Sequence, residues 1–116
     1  MLDGRTVLLV EDEVMVAMLA ETMLVSLGAG RVITAHSLPD GLAMLEEVPD
    51  AAMLDINLRG EQSFPIAKIL TERATPFIYA TAYGNAVAAE GPSAPVVTKP
   101  YGEAALRAAF AEVLGA

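Results

Sequence analysis

Short apolar runs alternate with longer stretches of helical period along this chain. Thr6-Val7-Leu8-Leu9-Val10 is a β-rich run that ends abruptly in acid at Glu11-Asp12. Residues 14–27 follow with apolar side chains over most of their surface, Val14, Met18, Met23 and Leu27 among them, and Gly28 supplies a helix-stop signal. Residues 31–35 read as a second strand. Ser37 then stands where it can cap a helix that has Pro39 in its first turn and Leu42 and Leu45 facing inward. Ala51-Ala52-Met53-Leu54 is a third apolar run, again closed by an acid, Asp55. A loop through Arg59-Gly60-Glu61 leads to a third helix, with Ser63 as its expected cap and Ile66, Ile69 and Leu70 as its stripe. Residues 76–82 and 96–98 predict the fourth and fifth strands. The last helix is expected over residues 103–114, with Leu106, Phe110, Val113 and Leu114 on one face. Between them, residues 84–95 carry enough glycine and proline to predict only a short or irregular helix.

Strands apolar on both faces and joined by helical crossovers indicate a parallel sheet covered on both sides. The expected fold is therefore α/β, a doubly wound five-stranded parallel sheet of flavodoxin-like topology. Its 116 residues suit one domain, residues 1–116. Little chain remains beyond Leu114, so no second domain is expected.

Composition narrows the chemistry. An apolar fraction of 54% provides a sizeable core. The absence of cysteine excludes a disulfide scaffold, a cysteine nucleophile and thiolate metal sites, and a single histidine, His36, excludes a multi-histidine zinc centre. Net charge is −8, a surface that repels phosphate backbones and argues against nucleic-acid binding. No signal peptide opens the chain, and Glu11, Asp12, Glu13 and Glu21 interrupt the most apolar region, so a cytoplasmic domain without a membrane span is expected.

In doubly wound sheets, ligands bind beyond the carboxyl ends of the strands. Those ends carry Glu11-Asp12, Asp55, Thr81 and Lys99-Pro100. Each is ordinary alone: an acidic pair favours a helix start, a lone aspartate a turn, a threonine a strand. Together they should converge on one edge. Three acids at one pocket repel one another unless a cation sits among them, and such hard oxygen ligands suit Mg²⁺. A carboxylate beside that cation, an ammonium and a hydroxyl can accept a phosphoryl group.

With these residues in view, the chain resembles the receiver domain of a two-component response regulator over residues 5–115. Val7-Leu8-Leu9-Val10-Glu11-Asp12-Glu13, Met53-Leu54-Asp55 with Asn57, Thr81, and Lys99-Pro100 carry the likeness. The resemblance implies that Asp55 is phosphorylated in a Mg²⁺-dependent phosphorelay by a histidine kinase or phosphotransfer protein. It implies further that Asp12 binds Mg²⁺ directly, Glu11 through water and Asn57 by its main-chain carbonyl, while Thr81 and Lys99 grip the phosphoryl oxygens. A monomer or weak dimer is expected. Residues 76–84, Pro-Phe-Ile-Tyr-Ala-Thr-Ala-Tyr-Gly, resemble the signature of the FAT GUY subgroup, which is commonly stand-alone and tied to general stress control; Ala82 stands where that signature has glycine. The usual aromatic switch position, three before the lysine, is Val96 here. Tyr83 either takes over the switch with Thr81 or packs its ring at the sheet edge.

Two other readings compete. A Mg²⁺-dependent aspartyl-phosphate phosphohydrolase needs a second acid two residues after its nucleophile, and position 57 is Asn. A docking pseudo-receiver without phosphorylation sits poorly with Asp12, Asp55, Thr81 and Lys99 all present.

Overall fold

Alternate residues of a strand point to opposite faces, so a strand apolar throughout must be covered twice. The computed structural model, which describes residues 1–82 and 87–115, does so with helices on both sides of one sheet. In chain order the elements are β1 (Thr6–Val10), α1 (Val14–Ser26), β2 (Arg31–Ala35), α2 (Leu38–Met44), β3 (Ala51–Asp55), β4 (Asn57–Leu58), β5 (Glu61–Gln62), α3 (Phe64–Glu72), β6 (Phe77–Thr81), β7 (Val96–Thr98) and α4 (Glu103–Leu114). Five parallel strands form the sheet in the order β2-β1-β3-β6-β7, the flavodoxin-like topology expected.

The alternation sorts the core into two clusters. Val7, Leu9, Met53, Ile78 and Ala80 pack with Ala17, Ala20 and Leu24 of α1 and Leu106 and Phe110 of α4. Leu8, Val10, Leu54, Phe77 and Tyr79 pack on the other face with Ile66 and Leu70 of α3 and with Leu45. The second cluster holds the aromatic contacts: the Tyr79 ring meets Phe77 and Phe64 edge-on, with centroids 5.4 and 5.9 Å apart. Its hydroxyl donates to Pro92 O at 2.7 Å, pinning the segment that returns from β6 to β7. Gly91 in that segment lies against the Phe64 ring, where a Cβ would collide with it.

Helix α1 ends as its sequence predicts. Gly28 takes φ of 105°, its N–H donates to Val25 O at 2.9 Å, and Ala29 N–H donates to Leu24 O at 3.0 Å, which together close the helix in a Schellman motif. Ser37 caps α2, accepting from Asp40 N at 3.2 Å.

Helix α1 is apolar over most of its surface, and it turns Ala17, Ala20 and Leu24 to the sheet while Val14 and Met18 stay 54% and 61% exposed. Two expectations need correction. Ser63 precedes α3 but does not cap it: with ψ of 6° it lacks the extended backbone of an N-cap, and its Oγ is buried without a partner. The expected loop after Asp55 is a tight antiparallel hairpin, β4–β5. Within residues 87–95, the expected short or irregular helix is a single 3₁₀ turn, Ala88–Glu90.

Candidate functional site

The carboxyl ends of β1, β3, β6 and β7 lie side by side, and parallel register brings their last residues to one edge. Asp55 closes β3 and Thr81 closes β6. Lys99 follows β7, and its N–H donates to Thr81 O at 2.8 Å, so the backbone that carries the ammonium is tied to the neighbouring strand. The Lys99–Pro100 peptide is cis. Glu11 N–H donates to Ala35 O at 3.0 Å, which continues the β1–β2 ladder one residue past the strand.

Lys99 Nζ donates to Asp55 Oδ2 at 2.9 Å and lies 3.0 Å from Glu11 Oε2. Both carboxylates are buried, Glu11 at 1% exposure and Asp55 at 4%. Glu11 Oε1 also accepts from Glu13 N at 3.1 Å, at the start of α1. Behind it, His36 Nδ1 lies 2.9 Å from Glu11 O. Asp12 is more open, and Arg59 Nε stands 3.8 Å from its Oδ2. A cavity of about 170 Å³ is lined by Asp12, Glu13, Asp55, Asn57, Arg59, Thr81, Ala82 and Lys99. Thr81 is almost wholly buried against it. Asn57 reaches the cavity from β4, and its side-chain oxygen accepts from Gly60 N at 2.8 Å.

The electrostatics follow from burying more acids than bases. Burial, then the charge of Asp55, pushes the Glu11 carboxyl up to about 7, against the pull of Lys99 and the Glu13 N–H. Burial likewise raises Asp55 above the ordinary carboxylate value despite its bond to Lys99. Burial by itself would lower the Lys99 ammonium, but its hydrogen bonds and charge contacts with Asp55 and Glu11 reverse that and hold it raised and charged. The pocket therefore holds more acidic groups than the Lys99 ammonium can neutralise. Carboxylate oxygens of Glu11, Asp12 and Asp55 all lie within 4.8 Å of one another, a donor set of hard oxygens that fits a divalent cation such as Mg²⁺.

The structure thus brings together Glu11, Asp12, Asp55, Asn57, Thr81 and Lys99. Tyr83 lies outside the described residues. Two groups near the pocket carried no assignment from the sequence. Arg59 is one, named there only as part of a loop. Tyr101 is the other: its hydroxyl is buried without a partner, and burial, then the Glu11 charge, raises it to about 12. No helix among the described residues is long and apolar enough to cross a membrane.

No protein-family model matches the sequence, and no curated protein does. Solved structures do. The chain is 38% identical to SdrG from Sphingomonas melonis Fr1, with a TM-score of 0.82, covering 94% of this chain and 95% of that one. It is 27% identical to the receiver domain of the PhyR response regulator from Erythrobacter litoralis, with a TM-score of 0.82 and coverage of 98% and 92%. It is 26% identical to a PhyR stress response regulator, TM-score 0.82, where it covers 96% of this chain and 45% of the longer one.

Proposed function

This chain belongs to the response-regulator receiver domains, and from that premise we propose that Asp55 is its phosphoacceptor in a Mg²⁺-dependent phosphorelay. The observation that carries the reading is Lys99 Nζ at 2.9 Å from Asp55 Oδ2, inside a cavity that Asp12 and Thr81 share. A divalent cation held by Asp12, Asp55 and the Asn57 carbonyl, with Glu11 acting through water, would neutralise charge spreading over the transferred oxygens.

The chain's own residues do the rest. A carboxylate oxygen of Asp55 attacks the phosphorus of a phosphohistidine on a histidine kinase or phosphotransfer protein. The new P–O bond forms as the P–N bond breaks, and the imidazole leaves and takes up a proton. The Lys99 ammonium, kept charged by its two acidic neighbours, is positioned to hold a phosphoryl oxygen, and the Thr81 hydroxyl to hold another. Nothing in this step turns over a second substrate, so the role is signalling rather than classical enzymology. We read residues 1–116 as a single receiver domain whose output is contact with another protein. Residues 76–81, Pro-Phe-Ile-Tyr-Ala-Thr, support placement in the FAT GUY subgroup, and the likeness to a PhyR stress response regulator supports a stress-signalling context.

Incubation with acetyl phosphate and Mg²⁺ tests the reading. One phosphoryl group should be added, and Asp55→Asn should remove it. Labelling of that variant at the parent rate would defeat the assignment.

A further inference from the structure

Hairpin β4–β5 begins two residues after Asp55 and carries Arg59 at its tip. Its backbone is fixed at both ends. Ser63 N donates to Ile56 O at 2.9 Å at the base, and the Asn57 side chain accepts from Gly60 N at 2.8 Å at the tip. Arg59 and Gly60 adopt φ of 54° and 90°, the left-handed backbone that a tight turn needs. The Arg59 side chain is 81% exposed, and its Nε stands 3.8 Å from Asp12 Oδ2.

The charges in the cavity then divide unevenly. Lys99 serves Glu11 and Asp55, and among the described residues the cation beside Asp12 is Arg59. We propose that Arg59 is a charge-steering residue with two successive partners. In the cation-free chain its guanidinium neutralises Asp12. When a divalent cation takes Asp12, Arg59 is displaced to the mouth of the cavity, where it attracts the phosphate of the incoming donor. This rests on the reading of the cavity as a cation-assisted phosphoacceptor site and adds an entry step to it. The transfer itself is unaltered: with acetyl phosphate, Asp55 oxygen bonds to phosphorus, the acyl P–O bond breaks, and acetate leaves.

The two roles predict effects of opposite sign, which a merely structural residue would not give. Arg59→Asn removes the charge while tolerating positive φ, and Arg59→Lys keeps the charge. In calorimetric titration of the full chain with Mg²⁺ alone, Arg59→Asn should bind about two- to fivefold more tightly than the parent, the range of an exposed ion pair, and Arg59→Lys within about twofold. At saturating Mg²⁺, Arg59→Asn should label with acetyl phosphate about two- to fivefold more slowly. That deficit should vanish in about 1 M salt, where charges are screened beyond roughly 3 Å. Mg²⁺ affinity unchanged or weakened in Arg59→Asn overturns the proposal, as does a labelling deficit that persists at high salt. A parent chain that binds no Mg²⁺ overturns the reading of the cavity itself, and so the two failures are told apart.

Discussion

The two edges of the sheet differ in a way that size does not reveal. The amino edge has the roomier hollow, about 660 Å³ between Thr75–Phe77, Ser93–Pro95 and the end of α4. The cavity at the carboxyl edge is about 170 Å³. Yet the amino edge is held by ordinary surface contacts: Asp50 Oδ2 accepting from Thr6 N at 2.9 Å, and Arg31 paired with Glu47 at 3.0 Å, both partners exposed. At the carboxyl edge two nearly buried acids share one ammonium. Burying charge costs folding free energy unless it is paired, so an edge built this way draws on the stability that the rest of the fold supplies.

The contrast can be broken most forcefully at Lys99. Lys99→Met leaves Glu11 and Asp55 without their common cation. Because both acids can take up protons, we expect destabilisation near the lower end of about 3–5 kcal/mol in chemical denaturation at neutral pH. Labelling by acetyl phosphate should fall by about 10²–10³-fold, the usual loss for one preorganised electrostatic contact. A fully stable, normally labelled Lys99→Met would erase the distinction between the edges.

Acidity gives the next test. The Glu11 carboxyl is held at about 7 in the folded chain against an ordinary 4.5, so between those values the folded state binds more protons than the unfolded one. Stability must then fall as pH rises through that window and level off above it. Asp55 contributes in the same direction. In metal-free buffer, Glu11→Gln should make the decline of melting temperature from pH 4.5 to 7 shallower than in the parent. A parallel decline in both would remove Glu11 from the account.

Much of this was legible in the chain. Apolar runs such as residues 7–10, 51–54 and 77–80 read as strands covered twice, and the polar residues closing four of the five predicted strands had to fall on one edge. What escaped did so for physical reasons. Helix α1 is apolar almost all round, so periodicity could not choose its inner face, and Ala17 and Ala20 won it by being small. Strands of two residues, as in β4 and β5, are too short to show a period. Arg59 stands beside Asp12 from a turn in which this non-glycine residue adopts positive φ, which no local pattern announces.

Smaller effects separate the edges further. Tyr79→Phe removes the hydrogen bond to Pro92 O while keeping the ring contacts, and should cost about 1 kcal/mol. Increased amide exchange should be confined to residues 87–95. At the amino edge, Glu47→Ala should cost no more than about 0.5 kcal/mol and leave labelling of Asp55 unchanged.

The bond from Tyr79 to Pro92 also gives the protein a built-in optical probe. The chain contains no tryptophan and three tyrosines, so its near-ultraviolet emission comes from tyrosine alone. Tyr79 is fully buried with its hydroxyl held by a carbonyl, and Tyr101 follows directly on Lys99-Pro100 with its hydroxyl buried and unpartnered. These are different electronic surroundings, one on β6 and the other between β7 and α4. Variants that keep Tyr79 or Tyr101 as the sole tyrosine would report separately on the returning segment and on the lysine that faces Asp55. Phosphorylation could then be followed in real time by unlabelled emission and near-ultraviolet dichroism.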